Sequence, residues 1–168
     1  PKQLRIYIVF AAVHLAAAGC LAVLLLHYPI SPLLTWSALF WLLLKLIAGY
    51  SVIKVYAGGT PNTISAGFSV AGAILILFNP LVAAVLIALG TLDKRDFKRE
   101  RRLSFNLFNR SMYFTCGGLS SLLVHRLMNS WSPIPYPTRL MVALGTTILL
   151  YFVLNTGQTR AAAAALDG

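Results

Sequence analysis

Acidic residues are almost missing from this chain. It has four Asp and Glu against 14 Lys and Arg, for a formal net charge of +10. Asp93, Asp96 and Glu100 all fall inside one decapeptide, "DKRDFKRERR" (93–102), and Asp167 stands near the end. Catalysis by a carboxylate pair anywhere else is thereby excluded. Charge of either sign is scarce as well: 11% of residues are charged and 58% are hydrophobic, whereas soluble domains carry about 25% charged residues. Too little polar surface remains to cover a soluble core, and lipid is the solvent that suits this composition. Cysteine is limited to Cys20 and Cys116, both in apolar runs, which excludes a disulfide framework and a Cys-based metal site. No Ser/His/Asp set is legible. The glycine-rich "YAGGT" and "CGG" lack the strand-to-helix setting of a phosphate loop. A non-enzymatic chain with no metal site is expected, without internal repeats or a soluble domain.

What is present is a series of long apolar runs. Membrane spans are predicted at about 4–28, 33–56, 64–78, 81–92, 105–128 and 139–156. The first begins "KQLRIYIVFAAVHLAAAGC", which has the look of a lipoprotein leader. The apolar run continues through "LAVLLLHY", so a membrane span is the better description. "HYPISP" ends it, since two nearby prolines cannot continue a helix. "AGGTPNT" is expected to be a loop. Trp131 and Tyr136, in the proline-rich loop 129–137, suit a membrane interface.

Residues 64–92 fit either one kinked helix or two short ones meeting at Asn79-Pro80, and charge decides. Lys2 and Arg5 place the N-terminus in the cytoplasm, and two spans return the chain there. A single span over 64–92 would put six basic residues outside, against the positive-inside rule. Two elements are therefore expected. The result is an all-α, polytopic membrane protein with six membrane helices and both termini cytoplasmic. Short helices at this depth are tolerated where protein covers them. Residues 161–168 either extend the last helix or begin a linker at which a longer protein is cut.

The charged segment holds Lys94, Arg95, Lys98, Arg99, Arg101 and Arg102. It serves first as a topological anchor. Contact with anionic headgroups adds about 1 kcal/mol per basic residue near the surface. The interleaved acids also suit docking of a protein subunit, membrane-bound or cytoplasmic. Nucleic acid is not expected, because three acids among the bases make a poor phosphate track.

Lys45 lies near the middle of the predicted span 33–56, where an ionisable group marks function by default; snorkelling is the alternative. A polar stripe on the fifth span includes Asn106, Asn109, Arg110 and Tyr113, and continues through Cys116 and Ser120 at three- and four-residue steps. With Lys45 these four form a candidate ligand-binding set; an interhelical interface explains the same stripe. Gly117 and Ser121, like Ala12 and Ala16 on the first span, are spaced for close helix packing, the latter pair against another protein in one reading. His14, His27 and His125 each have the chemistry to ligate a haem or chlorophyll-type metal, but no pairing follows from spacing, and the cofactor stays unknown.

The stretch "GTPNTISAGFSVAGAILILFNPLVAAVLIALGTLDKRDFKRERRLSFNLFNR" (59–110), with "LFNR" (107–110) and "YFVLNTG" (151–157), resembles the six-helix membrane sensor domain at the N-terminus of bacterial signalling proteins such as HD-GYP phosphodiesterases. That domain is similar to the substrate-binding S components of energy-coupling-factor transporters. The resemblance spans roughly 58–160. It implies a sensory or small-ligand-binding bundle that couples to a partner through the cytoplasmic segment 93–110. A small structural subunit of a larger membrane complex and a transporter S component are the alternatives.

Overall fold

The computed structural model describes residues 2–57, 60–91, 103–131 and 134–167. Among them lie six α-helices: α1 (Lys2–His27), α2 (Trp36–Tyr50), α3 (Gly67–Leu77), α4 (Pro80–Gly90), α5 (Leu103–Ser130) and α6 (Tyr136–Asp167). A short 3-10 turn, Ser31–Leu34, precedes α2. The strands β1 (Val52–Ala57) and β2 (Thr60–Ser65) pair antiparallel, from Val52 opposite Ser65 to Ala57 opposite Thr60.

Six helices form the fold, as expected, and the hairpin is an unexpected addition to them. The predicted span 33–56 stops at Tyr50, and most of "AGGTPNT" is strand rather than loop. Val52, Ile53, Val55 and Tyr56 are β-branched or aromatic, which favours a strand, and Gly58-Gly59 between two such runs is a two-residue hairpin signal. Counted as part of a helix, those side chains had only lengthened an apolar run. The last helix is also longer than 139–156: it takes in Tyr136 and continues to Asp167, because the alanines that follow Arg160 are strong helix formers.

The break within 64–92 falls at Phe78 and Asn79, both extended. Phe78 caps the end of α3 and Asn79 the start of α4. The Asn79 Oδ1 accepts the Val82 N–H at 3.0 Å, and its Nδ2 donates to the Pro29 carbonyl at 3.1 Å. Pro80 takes the first helical position, where its missing N–H costs nothing.

Contacts along α5 give the direction of each neighbour. Arg110 meets Ala88 and Thr91, and Gly117 meets Ala84 and Ile87, so α4 runs antiparallel to α5. Ser121 meets Leu75 and His125 meets Phe78, so α3 runs with α5 and the chain reverses between them. α1 is parallel to α5, with His14 beside Ser111 and Cys20 beside Gly118. α6 returns with Thr159 beside Met112. One end of the bundle therefore carries the starts of α1 and α5 and the ends of α2, α4 and α6. Phe10 fastens that end, stacked on Phe108 at 4.6 Å with Phe105 edge-on at 5.3 Å.

The core forms around α4, nine of whose eleven residues are buried, as befits a helix apolar on all sides. The outside is apolar too. Gln3–His27 and Tyr136–Ala164 are long and apolar enough to cross a membrane, and Leu15, Leu26, Met141 and Leu149 stand largely exposed on them.

Candidate functional site

At about 1.5 Å per residue, α3 and α4 rise some 16 Å each, well short of the 28-residue α5 packed beside them. Their ends therefore fall inside the bundle, where each helix leaves backbone groups unpaired and a buried unpaired carbonyl is costly. α5 supplies most of the missing partners. Ser121 Oγ donates to the Leu75 carbonyl at 3.0 Å, and His125 Nε2 donates to Phe78 O at 2.9 Å. At the other end of the hairpin, Thr91 Oγ1 donates to Ile87 O at 2.7 Å. The Arg110 guanidinium donates to both Ala88 O and Thr91 O. A cation at a helix C-terminus also complements the macrodipole. Ser121→Ala should cost about 1–3 kcal/mol, the penalty for a buried carbonyl left unsatisfied; thermal unfolding in a mild detergent reads it, and an unchanged midpoint contradicts the role.

Arg110 faces a second feature. A groove of about 350 Å³ runs between α1, the end of α4 and α5, lined by His14, Ala17, Ala18, Leu21, Ala88, Arg110, Ser111 and Phe114. This volume is at the low end for small-molecule sites, ~300–1,000 Å³. His14, Ala17, Ala18 and Leu21 follow the i, i+3, i+4, i+7 spacing of one helix face. His14 Nδ1 lies 2.7 Å from Ser111 Oγ, the donor depending on the ring tautomer, so the polar groups gather at one end of an otherwise apolar wall.

Of the proposed ligand set, Arg110 alone lines this groove. Tyr113 packs against the main core cluster with Cys116 and Tyr151. Asn106 and Asn109 are half-buried outside the groove, the Asn106 Oδ1 without a hydrogen-bond partner among the described residues. Lys45 is elsewhere again, on the α2–α4 contact. With α2 ending at Tyr50, Lys45 sits five residues from the helix end, about 7.5 Å along the axis, level with the C-terminal turn of α4. It is only 5% exposed. Its stem crosses Gly90 so closely that a Cβ there would lie 2.5 Å from Lys45 Cγ. Among the described residues no hydrogen bond or ion pair is recorded for its ammonium group.

Gly117 and Ser121 do pack between helices, against Ile87, Ala84 and the Leu75 carbonyl. Ala12 and Ala16 do not; both are exposed. The α1 face turned to α5 is one residue further on, at Val13, Ala17, Cys20 and Leu24. Gly118 selects it, since a Cβ there would meet Cys20 Sγ at 2.9 Å and Leu24 Cδ1 at 3.0 Å. The three histidines are dispersed. His27 Nδ1 donates to Val23 O at 2.8 Å in its own helix, while His14 and His125 serve the contacts above. No group of three His, Cys, Asp or Glu side chains is drawn together among the described residues. Lys94, Arg95, Lys98, Arg99, Arg101 and Arg102 lie outside the described residues.

Ser111, Ala17, Ala18, Leu21 and Phe114 were not in the candidate set. The α1 spacing and the adjacency of Ser111 to Arg110 were the available signals, hidden by small residues on almost every face of α1. Fold and site together define a helical bundle built round a broken-helix hairpin, with a side groove at the hairpin's C-terminal end. Comparison with protein-family models, curated proteins and solved structures gives no match.

Proposed function

We propose that this chain is a non-enzymatic, multi-pass protein of a bacterial cytoplasmic membrane: a sensory bundle, similar in plan to an S component, that binds a small ligand in the α1–α5 groove. It would report occupancy to a protein partner through segment 93–110. One observation carries this reading. Arg110 lines the groove and at the same time holds the Ala88–Thr91 end of α4. In sequence the charged segment follows Thr91 and precedes Leu103, where α5 begins, seven residues before Arg110. A ligand that competes for the guanidinium would loosen the α4 end and change how the segment leaves the bundle. Such coupling requires unequal affinity for the latched and unlatched states.

The test is the reactivity of a cysteine placed in the segment, Lys98→Cys, toward a water-soluble maleimide in nanodiscs. Ala18→Trp fills the groove in place of a ligand. Its labelling rate should differ several-fold from that of the open protein, and Arg110→Gln should abolish the difference. Equal rates with the groove filled and open would sink the coupling.

A structural subunit is the second reading, favoured by the exposed small face of Ala12, Ala16 and Gly19, with nothing within 4 Å of a Cβ built at Gly19. Such a stripe suits close approach by a helix of another chain. Co-purification with a partner at fixed stoichiometry, lost in Ala16→Leu, would select it.

A further inference from the structure

Resting on the groove as a ligand site, we infer that its occupant is a single-chain amphiphile with a carboxylate or phosphate head, taken up sideways from the bilayer. The head belongs at the polar end. The Arg110 guanidinium has donors only, and His14 and Ser111 meet beside it at 2.7 Å. Together they recognise a group that accepts hydrogen bonds. Among the described residues no acid lines the groove, so a cationic head would meet the Arg110 guanidinium there and no carboxylate.

The tail belongs along Ala17, Ala18, Leu21 and Phe114. A sugar, nucleotide or free amino acid laid there would bury polar groups against hydrocarbon, at a cost of about 1–3 kcal/mol or more for each unpaired group. The α1 wall from His14 to Leu21 is about 10 Å long at 1.5 Å per residue, which gives the groove an elongated shape. A volume of about 350 Å³ suits one acyl chain better than the two of a phospholipid. The mouth opens on the outside of the bundle: Ala18 is exposed and Leu21 is 40% exposed. Its neighbours on that side of α1, Leu15 and Leu25, are exposed hydrophobics. The route in is therefore across an apolar surface, open to a molecule already dissolved in the bilayer.

The experiment uses the full chain in phosphatidylcholine nanodiscs with a laurate analogue carrying a photoreactive diazirine near its tail. Crosslinked positions are mapped by mass spectrometry. Crosslinks should concentrate at Ala17–Leu21 and Phe114. Unlabelled laurate or dodecyl phosphate should reduce them about 10-fold or more, and dodecyltrimethylammonium should not. Competition by laurate and dodecyl phosphate, compared at equal concentration, separates a fatty acid from a phosphate-headed source. Ala18→Trp, at an exposed position, should remove the crosslinks by a similar factor while the unfolding midpoint is kept. Labelling spread evenly over the apolar surface overturns the inference, as does equal competition by the ammonium amphiphile or retention of the crosslinks in Ala18→Trp. Lys98→Cys reactivity keeps the two proposals apart. Specific laurate crosslinking with an unaltered maleimide rate leaves the ligand class standing and removes the coupling. Diffuse crosslinking with a rate still changed by Ala18→Trp does the reverse.

Discussion

Arg110→Ala is expected to be the most damaging substitution of a polar residue in the bundle. Ala88 O and Thr91 O would lose a charge-assisted donor at the end of a helix that is otherwise buried. Each such bond contributes about 1.5–3 kcal/mol, so the loss should reach about 3 kcal/mol or more, a large part of a typical folding stability of 5–15 kcal/mol. Arg110→Lys should recover only part of it, because the lysine side chain ends one bond short of Nη1, the atom that donates to both carbonyls. Denaturant unfolding in mixed micelles measures both, with Arg110→Lys expected between the wild type and Arg110→Ala. Equal stability of all three would show that the α4 end does not depend on this side chain.

Gly118→Leu should be comparably severe for a different reason. Three elements meet over this glycine: a Cβ would already lie 2.9 Å from Cys20 Sγ, 3.0 Å from Leu24 Cδ1 and 3.5 Å from Ala84 Cβ. Both Leu24 and Ala84 are fully buried, so there is little room to yield. Overpacking of this kind costs about 1–3 kcal/mol, and a leucine adds three further carbons beyond the Cβ. The milder Gly118→Ala should be partly rescued by Cys20→Ala, which removes the nearest atom. The double-mutant cycle gives a favourable coupling if α1 and α5 meet here; strict additivity would mean that they do not.

Much of this architecture was legible from residue order, for identifiable reasons. The hairpin reversal near Asn79-Pro80 followed from electrostatics: six basic residues after it had to share a side with Lys2 and Arg5. The structure places the starts of α1 and α5 and the end of α4 at one end of the bundle, as that argument required. The polar stripe on the fifth span was also visible. Its larger use, satisfying the ends of α3 and α4, was not, because which carbonyls are orphaned depends on where two short helices stop. The β-hairpin was lost for want of contrast: Val52, Ile53, Val55 and Tyr56 are as apolar as the helix before them. The α1 face was misplaced by one residue, since Ala11, Ala12, Ala16, Ala17 and Ala18 offer small side chains in nearly every direction. Only Gly118, on another helix, chooses among them. Lys45 was read near the middle of a 24-residue span for the same reason that the hairpin was missed; with α2 ending at Tyr50 it lies five residues from a helix end.

The reversal between α3 and α4 underlies everything else, since it brings Arg110, the groove and the residues flanking the charged segment, Thr91 and Leu103, to one end of the bundle. Side-specific cysteine labelling tests it directly. Single cysteines replace Gln3, Lys98 and Arg160 on one predicted side, and Ser31 and Ser132 on the other, in sealed right-side-out and inverted vesicles with Cys20 and Cys116 changed to alanine. Gln3→Cys, Lys98→Cys and Arg160→Cys should react with an impermeant maleimide only in inverted vesicles, and Ser31→Cys and Ser132→Cys only in right-side-out ones. Reaction of Lys98→Cys from the same side as Ser31→Cys would make 64–92 a single crossing and contradict the hairpin.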